Sequence, residues 1–186
     1  MIIYLVVCAI LYAAAAFWCG LRRGKCGNKP TTLSAILALL LPALFSGLSA
    51  WLGGLLLTVL SPAAAIVLSI VLFVAIALLL FIRSIAVSRD ERAACPASPI
   101  PMPPLMSLFL ALSLAAGTIF PSAALGLLAL DLWITALAFA AAALLGSLLG
   151  ALFGLSGTKR LSPVLLWLPA IGFIAIAIAL TASSLA

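Results

Sequence analysis

The placement of charge constrains this chain more than any motif. It carries nine basic and three acidic side chains and no histidine, and all of them except Asp131 fall in three short segments. Between those segments run long uncharged stretches of Leu, Ala, Ile and Val. A helix needs about 20 apolar residues to cross the hydrocarbon core of a bilayer. Six stretches qualify: Ile2 to Gly20, Leu33 to Leu57, Ala63 to Ile82, Leu105 to Leu130, Leu132 to Phe153 and Val164 to Thr181. Strands of a membrane barrel would alternate polar and apolar residues over about 10 positions. Continuous apolar runs predict helices instead.

Composition excludes the soluble classes. Charged residues make up 6% of the chain, against about 25% in soluble domains. Hydrophobic residues make up 68% and the mean hydropathy is +1.49. So few charges cannot cover a water-facing surface. The expectation is an all-α integral membrane protein whose principal partner is the lipid bilayer. A nucleic-acid reader, a soluble nucleotide-binding enzyme and a disulfide-rich secreted domain are excluded.

The basic residues predict orientation. Arg22, Arg23, Lys25 and Lys29 lie between spans one and two. Arg83, Arg89 and Arg92 lie between three and four, and Lys159 and Arg160 between five and six. By the positive-inside rule these three loops are cytoplasmic, which places both termini outside. The first apolar run is preceded by no basic residue and followed by several. That is the wrong order for a cleaved signal peptide, so it is expected to be a retained helix.

A shift of 101 residues aligns the two halves without a gap from about Thr31 onward. Ser46, Ala50 and Gly53 fall on Ser147, Ala151 and Gly154, and Leu60-Ser61-Pro62 falls on Leu161-Ser162-Pro163. Three helices per unit is an odd number, so the second unit would enter the membrane from the opposite side. The predicted organisation is a first three-helix repeat over residues 1–87, a Pro-rich cytoplasmic linker over 88–104 and a second three-helix repeat over 105–186. Inverted repeats of this kind underlie many secondary transporters, with the site near the midplane between the halves. A duplicated scaffold without transport remains the alternative.

No acid or base lies within a span. Ion-coupled transport in bilayers usually relies on such residues, so no metal ligand and no cofactor is assigned. The polar groups left are hydroxyls and backbone freed by proline. Pro121 cannot donate to the Gly117 carbonyl one turn earlier. Gly117, Thr118, Pro121 and Ser122 are therefore the expected broken segment of a substrate path. Pro42, Ser46, Ser49 and the repeat-related Ser147 complete that set. Gly146, Gly150 and Gly154 recur every four residues on span five, and Ala50, Gly53 and Gly54 lie on span two. Small residues at this spacing let membrane helices approach closely, so spans two and five are expected to pack tightly, with each other as one candidate pair. Asp131 reads as a helix N-cap, and Trp133 beside it as an interfacial anchor. Cys8, Cys19, Cys26 and Cys95 form no paired motif. Without His, intramembrane acids or paired cysteines, general acid–base, metal and thiol-relay chemistry all lack parts, so no enzyme is expected.

The chain resembles the small bacterial manganese-efflux family, within the lysine-exporter-like group of six-helix membrane proteins. The resemblance covers the whole length and is strongest at Ala15-Ala16-Phe17, at the basic loop through Lys29-Pro30, and at Leu128-Ala-Leu-Asp131-Leu-Trp133 with the Gly-rich fifth span. It implies two three-helix units, an efflux activity and a prokaryotic cytoplasmic membrane. In that family an Asp in span one and another in span four are expected to bind the metal. Here the first falls on Ala15 and the second between Gly117 and Pro121, where no residue is acidic. A hard divalent cation wants carboxylate or carbonyl oxygen. The functional expectation is an exporter-like secondary transporter of an unknown small molecule or ion, with metal-cation efflux put in doubt by the missing acids. The alternative is a non-transporting membrane subunit or scaffold, and the sequence leaves open a homo-oligomer or a partner membrane protein.

Overall fold

A computed structural model of the chain describes residues 2–25, 31–90, 104–155 and 164–185. These fold into α1 (Ile2–Lys25), α2 (Thr32–Val59), α3 (Pro62–Asp90), α4 (Pro104–Ala116), α5 (Ile119–Leu127), α6 (Leu132–Leu155) and α7 (Val164–Leu185). There is no strand among the described residues. Among the described residues six spans are long and apolar enough to cross a membrane, α4 and α5 together making one of them. The chain is a multi-pass helical membrane protein.

The helix ends follow local chemistry. Thr31 caps α2 through a reciprocal pair, in which its hydroxyl accepts from the Ser34 N–H and the Ser34 hydroxyl accepts from the Thr31 N–H. Pro62 and Pro104 open α3 and α4, at the position where a missing N–H costs nothing. The Asp131 carboxylate accepts from the Trp133 N–H at 2.8 Å at the start of α6, the role expected of it. At the end of α5 the Leu130 N–H reaches back to the Leu125 carbonyl across Ala129, which stands in the left-handed region at φ 58°. This closure satisfies the last carbonyls of α5 and turns the chain into α6.

Two boundaries differ from the sequence reading. α1 runs to Lys25, so Arg22 and Arg23, expected in a loop, form its last turns. α3 runs past Ile82 to Asp90, so the first three residues of the expected linker are helical. Arg and Lys are good helix formers and are favourable at the negative end of the helix dipole. The apolar run therefore ends before the helix does. Residues 91–103, with Cys95 and the prolines between them, lie outside the described residues, as do Cys26, Lys29, Lys159 and Arg160.

The packing runs between the first three helices and the last four. α1 lies along α6 and also meets α7. α2 packs on α4, α5 and α6, and α3 packs on α7 and α5, whereas α1, α2 and α3 barely touch one another. The core contains Cys8, Tyr12, Phe73, Leu125, Phe139 and Phe173. The Phe73 and Phe173 rings stack 6.2 Å apart between α3 and α7, and Tyr12 meets Phe139 edge-on at 5.5 Å between α1 and α6.

Glycine sets the closest approaches. A Cβ on Gly20 would overlap the Ser147 carbonyl oxygen, and one on Gly24 the Ala151 carbonyl oxygen. From the other side, a Cβ on Gly146 would overlap the Ala13 carbonyl oxygen, and one on Gly150 that of Phe17. Lipid offers no hydrophobic drive for helix association, so backbone-to-backbone contact of this kind holds the pair. The same device joins α2 to α5: Gly53 meets the Ala123 carbonyl and Gly126 the Ala50 carbonyl. Thus the glycines of α6 face α1, and those of α2 and α5 face each other. α2 and α6 do meet, but there a Cβ on Gly47 would stand an ordinary 3.6 Å from the Ala136 methyl. Gly54, expected among the packing residues, has open space around it, because one step along a helix turns the side chain about 100° away from the Gly53 face.

Candidate functional site

The fourth span is two helices. α4 ends at Ala116, two residues turn, and α5 begins at Ile119. The cause is Pro121, which offers no N–H to the Gly117 carbonyl. The Gly117 and Thr118 N–H groups instead close tight three-residue bonds to the Leu114 and Ala115 carbonyls, each at 3.0 Å. Among the described residues no backbone hydrogen bond uses the Ala116 or Gly117 carbonyl, or the Ile119 or Phe120 N–H. The break thus presents acceptors from the end of α4 and donors from the start of α5. Unbonded backbone inside a membrane is tolerated only where it is buried in protein or lines a cavity.

A cavity is there. Gly117 lines it with Tyr12, Ala15 and Cys19 from α1, Ile76 and Leu80 from α3, Ser113 and Leu114 from α4, and Phe173 from α7. It measures about 20 Å³, room for about one water. Tyr12 is buried, and its hydroxyl donates to the Leu114 carbonyl at 2.8 Å. This bond ties α1 to α4 one turn before the break. Tyr12 is a residue the sequence reading missed. Its signal was a phenol inside an apolar span, since a buried phenol needs a hydrogen-bond partner.

A larger crevice shares part of that lining. Ile76, Leu80, Ser113 and Gly117 also line a crevice of about 460 Å³ between α3 and the break, completed by Leu79, Ile82, Ala116, Ile119 and Phe120. Its outer walls, Leu79 and Ile82, stand exposed on the apolar surface of the molecule.

The expected path residues divide into three places. Gly117, Thr118, Pro121 and Ser122 form the break and its first turn. Ser122 is fully buried, its hydroxyl bonded to the Thr118 carbonyl and to the Ser49 hydroxyl of α2. Ser49 and Ser122 are thereby joined across helices, and Ser69 of α3 reaches the Ala124 carbonyl of α5 at 3.3 Å. Pro42 and Ser46 are buried on α2, where the Ser46 hydroxyl is bonded to the Pro42 carbonyl, the usual recourse of a hydroxyl in a membrane helix. Ser147 stands apart. Its hydroxyl bonds to the Leu144 carbonyl and its own backbone meets Gly20 in the α1–α6 seam. The structure brings Ser49 to the break but does not bring Ser46 and Ser147 together.

The lining chemistry is neutral. Among the described residues that line the cavity and the crevice, one phenol, one thiol, one hydroxyl and the Gly117 backbone stand among apolar side chains, and none is charged. No group of three or more His, Cys, Asp or Glu residues that could hold a metal occurs among the described residues. Comparison of the chain with protein-family models, with curated proteins and with solved structures finds no match.

Proposed function

We propose that the chain is a small exporter-like secondary transporter built from two inverted three-helix repeats, with its substrate site at the broken fourth span. The observation that carries this reading is the break itself: backbone donors and acceptors left free at Gly117 and its neighbours, beside a cavity walled by both halves. Discontinuous helices of this kind supply substrate sites in transporters. Supporting the repeat, the packing keeps its pattern when spans one, two and three are exchanged with four, five and six. Span one packs on five as four packs on two, and one on six as four on three, while two–five and three–six map onto themselves. Under the resemblance to the manganese-efflux family, the two places where that family carries its acids are Ala15 and the segment beginning at Gly117, and both border this one cavity. The described lining offers carbonyl oxygen but no carboxylate, which is a poor fit to a hard divalent cation. A neutral substrate is the reading this lining supports better than metal-cation efflux. The basic loops lie in the cytoplasm of a prokaryotic cell and both termini outside.

The second reading, a scaffold that kept this architecture without transport, is favoured by the small size of the cavity. The test is access to the site. Ser113→Cys, in a background with the four native cysteines replaced by alanine, is challenged in oriented vesicles with a membrane-impermeant thiol reagent applied to one face at a time. Rocking of the halves predicts labelling from both faces. Labelling from one face only, or from neither, overturns it in favour of the scaffold.

A further inference from the structure

We propose that the guanidinium of Arg23, in the last turn of α1, holds the phosphate of an anionic phospholipid in the leaflet at that end of the molecule, beside the α1–α6 seam. The inference goes beyond the transport reading and stands with or without it.

The observation is a pair of unanswered donors. The Nε and Nη2 atoms of Arg23 are shut off from solvent, and no hydrogen-bond acceptor meets either of them among the described residues. These two nitrogens share one edge of the guanidinium. Their N–H bonds run parallel and grip two oxygens of one phosphate or carboxylate. A buried polar group without a partner is rare, and a charged one is costly. The edge of Arg23 best suited to an oxyanion is thus the edge that the described residues leave without one.

The neighbouring backbone explains the charge but not the missing acceptor. Ala13 lies against Gly146 and Phe17 against Gly150, while Gly20 meets Ser147 and Gly24 meets Ala151. α1 and α6 therefore run parallel and end together. Two negative helix ends favour a cation there, yet neither supplies an oxygen to the fork. The chain has three acids. Asp131 is engaged at the far end of α6, where it accepts from the Trp133 N–H. Asp90 ends α3, and Glu91 follows it. α3 ends on the same side as α1, since α2 carries the chain back between them. Asp90 and Glu91 are the internal rivals for the fork.

An incoming phosphate answers the fork without them. Arg22, Arg23 and Lys25 follow closely at the end of α1, and basic groups at the edge of the hydrocarbon draw anionic headgroups. Arg23 as a whole is only part-buried, and its long stem lets the head reach the headgroup layer. Phosphate is favoured over carboxylate because that layer presents one on every phospholipid. A zwitterionic lipid also has a phosphate, but it brings a quaternary ammonium into a region of like charge.

The test titrates the full chain in detergent with phosphatidylglycerol, phosphatidylcholine or inorganic phosphate, and counts bound molecules by native mass spectrometry. The first phosphatidylglycerol should bind roughly tenfold or more tightly than phosphatidylcholine, the worth of a charge-assisted hydrogen bond. Arg23→Gln should remove that preference. Arg23→Lys, which keeps the charge and loses the fork, should lose most of it, and it decides the matter if Arg23→Gln fails to fold. Arg22→Gln, at an exposed neighbour, should change it by less than about threefold, as expected of a surface charge. Equal losses in Arg22→Gln and Arg23→Gln, or full preference in Arg23→Lys, overturn the proposal in favour of diffuse charge. Displacement of the lipid by inorganic phosphate assigns the fork to a soluble oxyanion and overturns the lipid. The last arm is the melting temperature of the lipid-free protein. If Asp90→Asn with Glu91→Gln lowers it as much as Arg23→Gln does, and the two losses fail to add, the partner is internal and the proposal falls. Additive or absent losses, with the lipid preference lost only at Arg23, sustain it.

Discussion

The first and fourth spans make the same kind of contact and are built to opposite ends. α1 is one unbroken helix of 24 residues, locked to α6 from Ala13 to Gly24 by glycines on both partners. The fourth span packs on α2 through both its halves, but its backbone-close glycine contacts lie at α5 alone, where Gly126 of α5 and Gly53 of α2 meet the partner helix; α4 contains no glycine and is parted from α5 ahead of Pro121. Glycine holds one seam along much of its length and the other at a single end. Glycine every fourth residue and proline in mid-span both look like flaws in a helix. In this molecule the first makes a rigid pair and the second opens a site.

Three substitutions and one control bear on that contrast. The largest effect is expected at Gly150→Leu, which drives a side chain into the Phe17 carbonyl and parts the seam at its tightest point. Overpacking typically costs about 1–3 kcal/mol and sometimes more, so the folded fraction surviving thermal challenge in detergent should fall sharply. Gly54→Leu, in open space, should leave that fraction unchanged. If both behave alike, glycine contact is not what holds α1 to α6. The middle effect is Pro121→Ala. It returns an N–H to the Gly117 carbonyl, worth roughly 1 kcal/mol, and should raise resistance to unfolding while reducing thiol labelling of the Ser113→Cys probe. A variant that is more stable and labels as before would break the link between the discontinuity and the site. The smallest is Ser49→Ala, which removes the hydroxyl bond to Ser122. Hydrogen bonds between membrane helices average about 0.6 kcal/mol, and a reversible unfolding titration should register a loss of that size. A loss several times larger would mean that α5 is held by this bond and not by its glycine contact.

Span number was legible because charge is costly in hydrocarbon, so Arg22 to Lys29, Arg83 to Arg92 and Lys159 with Arg160 mark where the chain leaves it. The break was legible for a similarly local reason, since Pro121 removes one named bond. Helix ends were not, because Arg22 and Arg23 are as content in a last turn as in a loop. Partner choice was not legible either. The Gly146–Gly150–Gly154 face announces a close neighbour, but only the three-dimensional arrangement makes that neighbour α1 instead of α2. Tyr12 escaped notice because its partner, the Leu114 carbonyl, is a backbone group 102 residues away, and backbone leaves no mark in a sequence pattern.

The way the helices pair has a consequence for how the protein is made. Because α1, α2 and α3 barely touch one another, the first half of the chain has nothing to fold onto as it leaves the ribosome. Its helices must wait in the membrane, glycine faces bare, until α5 and α6 have been synthesised. A chain stopped at residue 90 would be three inserted helices and no tertiary structure. Assembly therefore begins only after the first three helices are inserted: α2 and α3 gain their first partners with α4 and α5, and α1 gains its main one with α6.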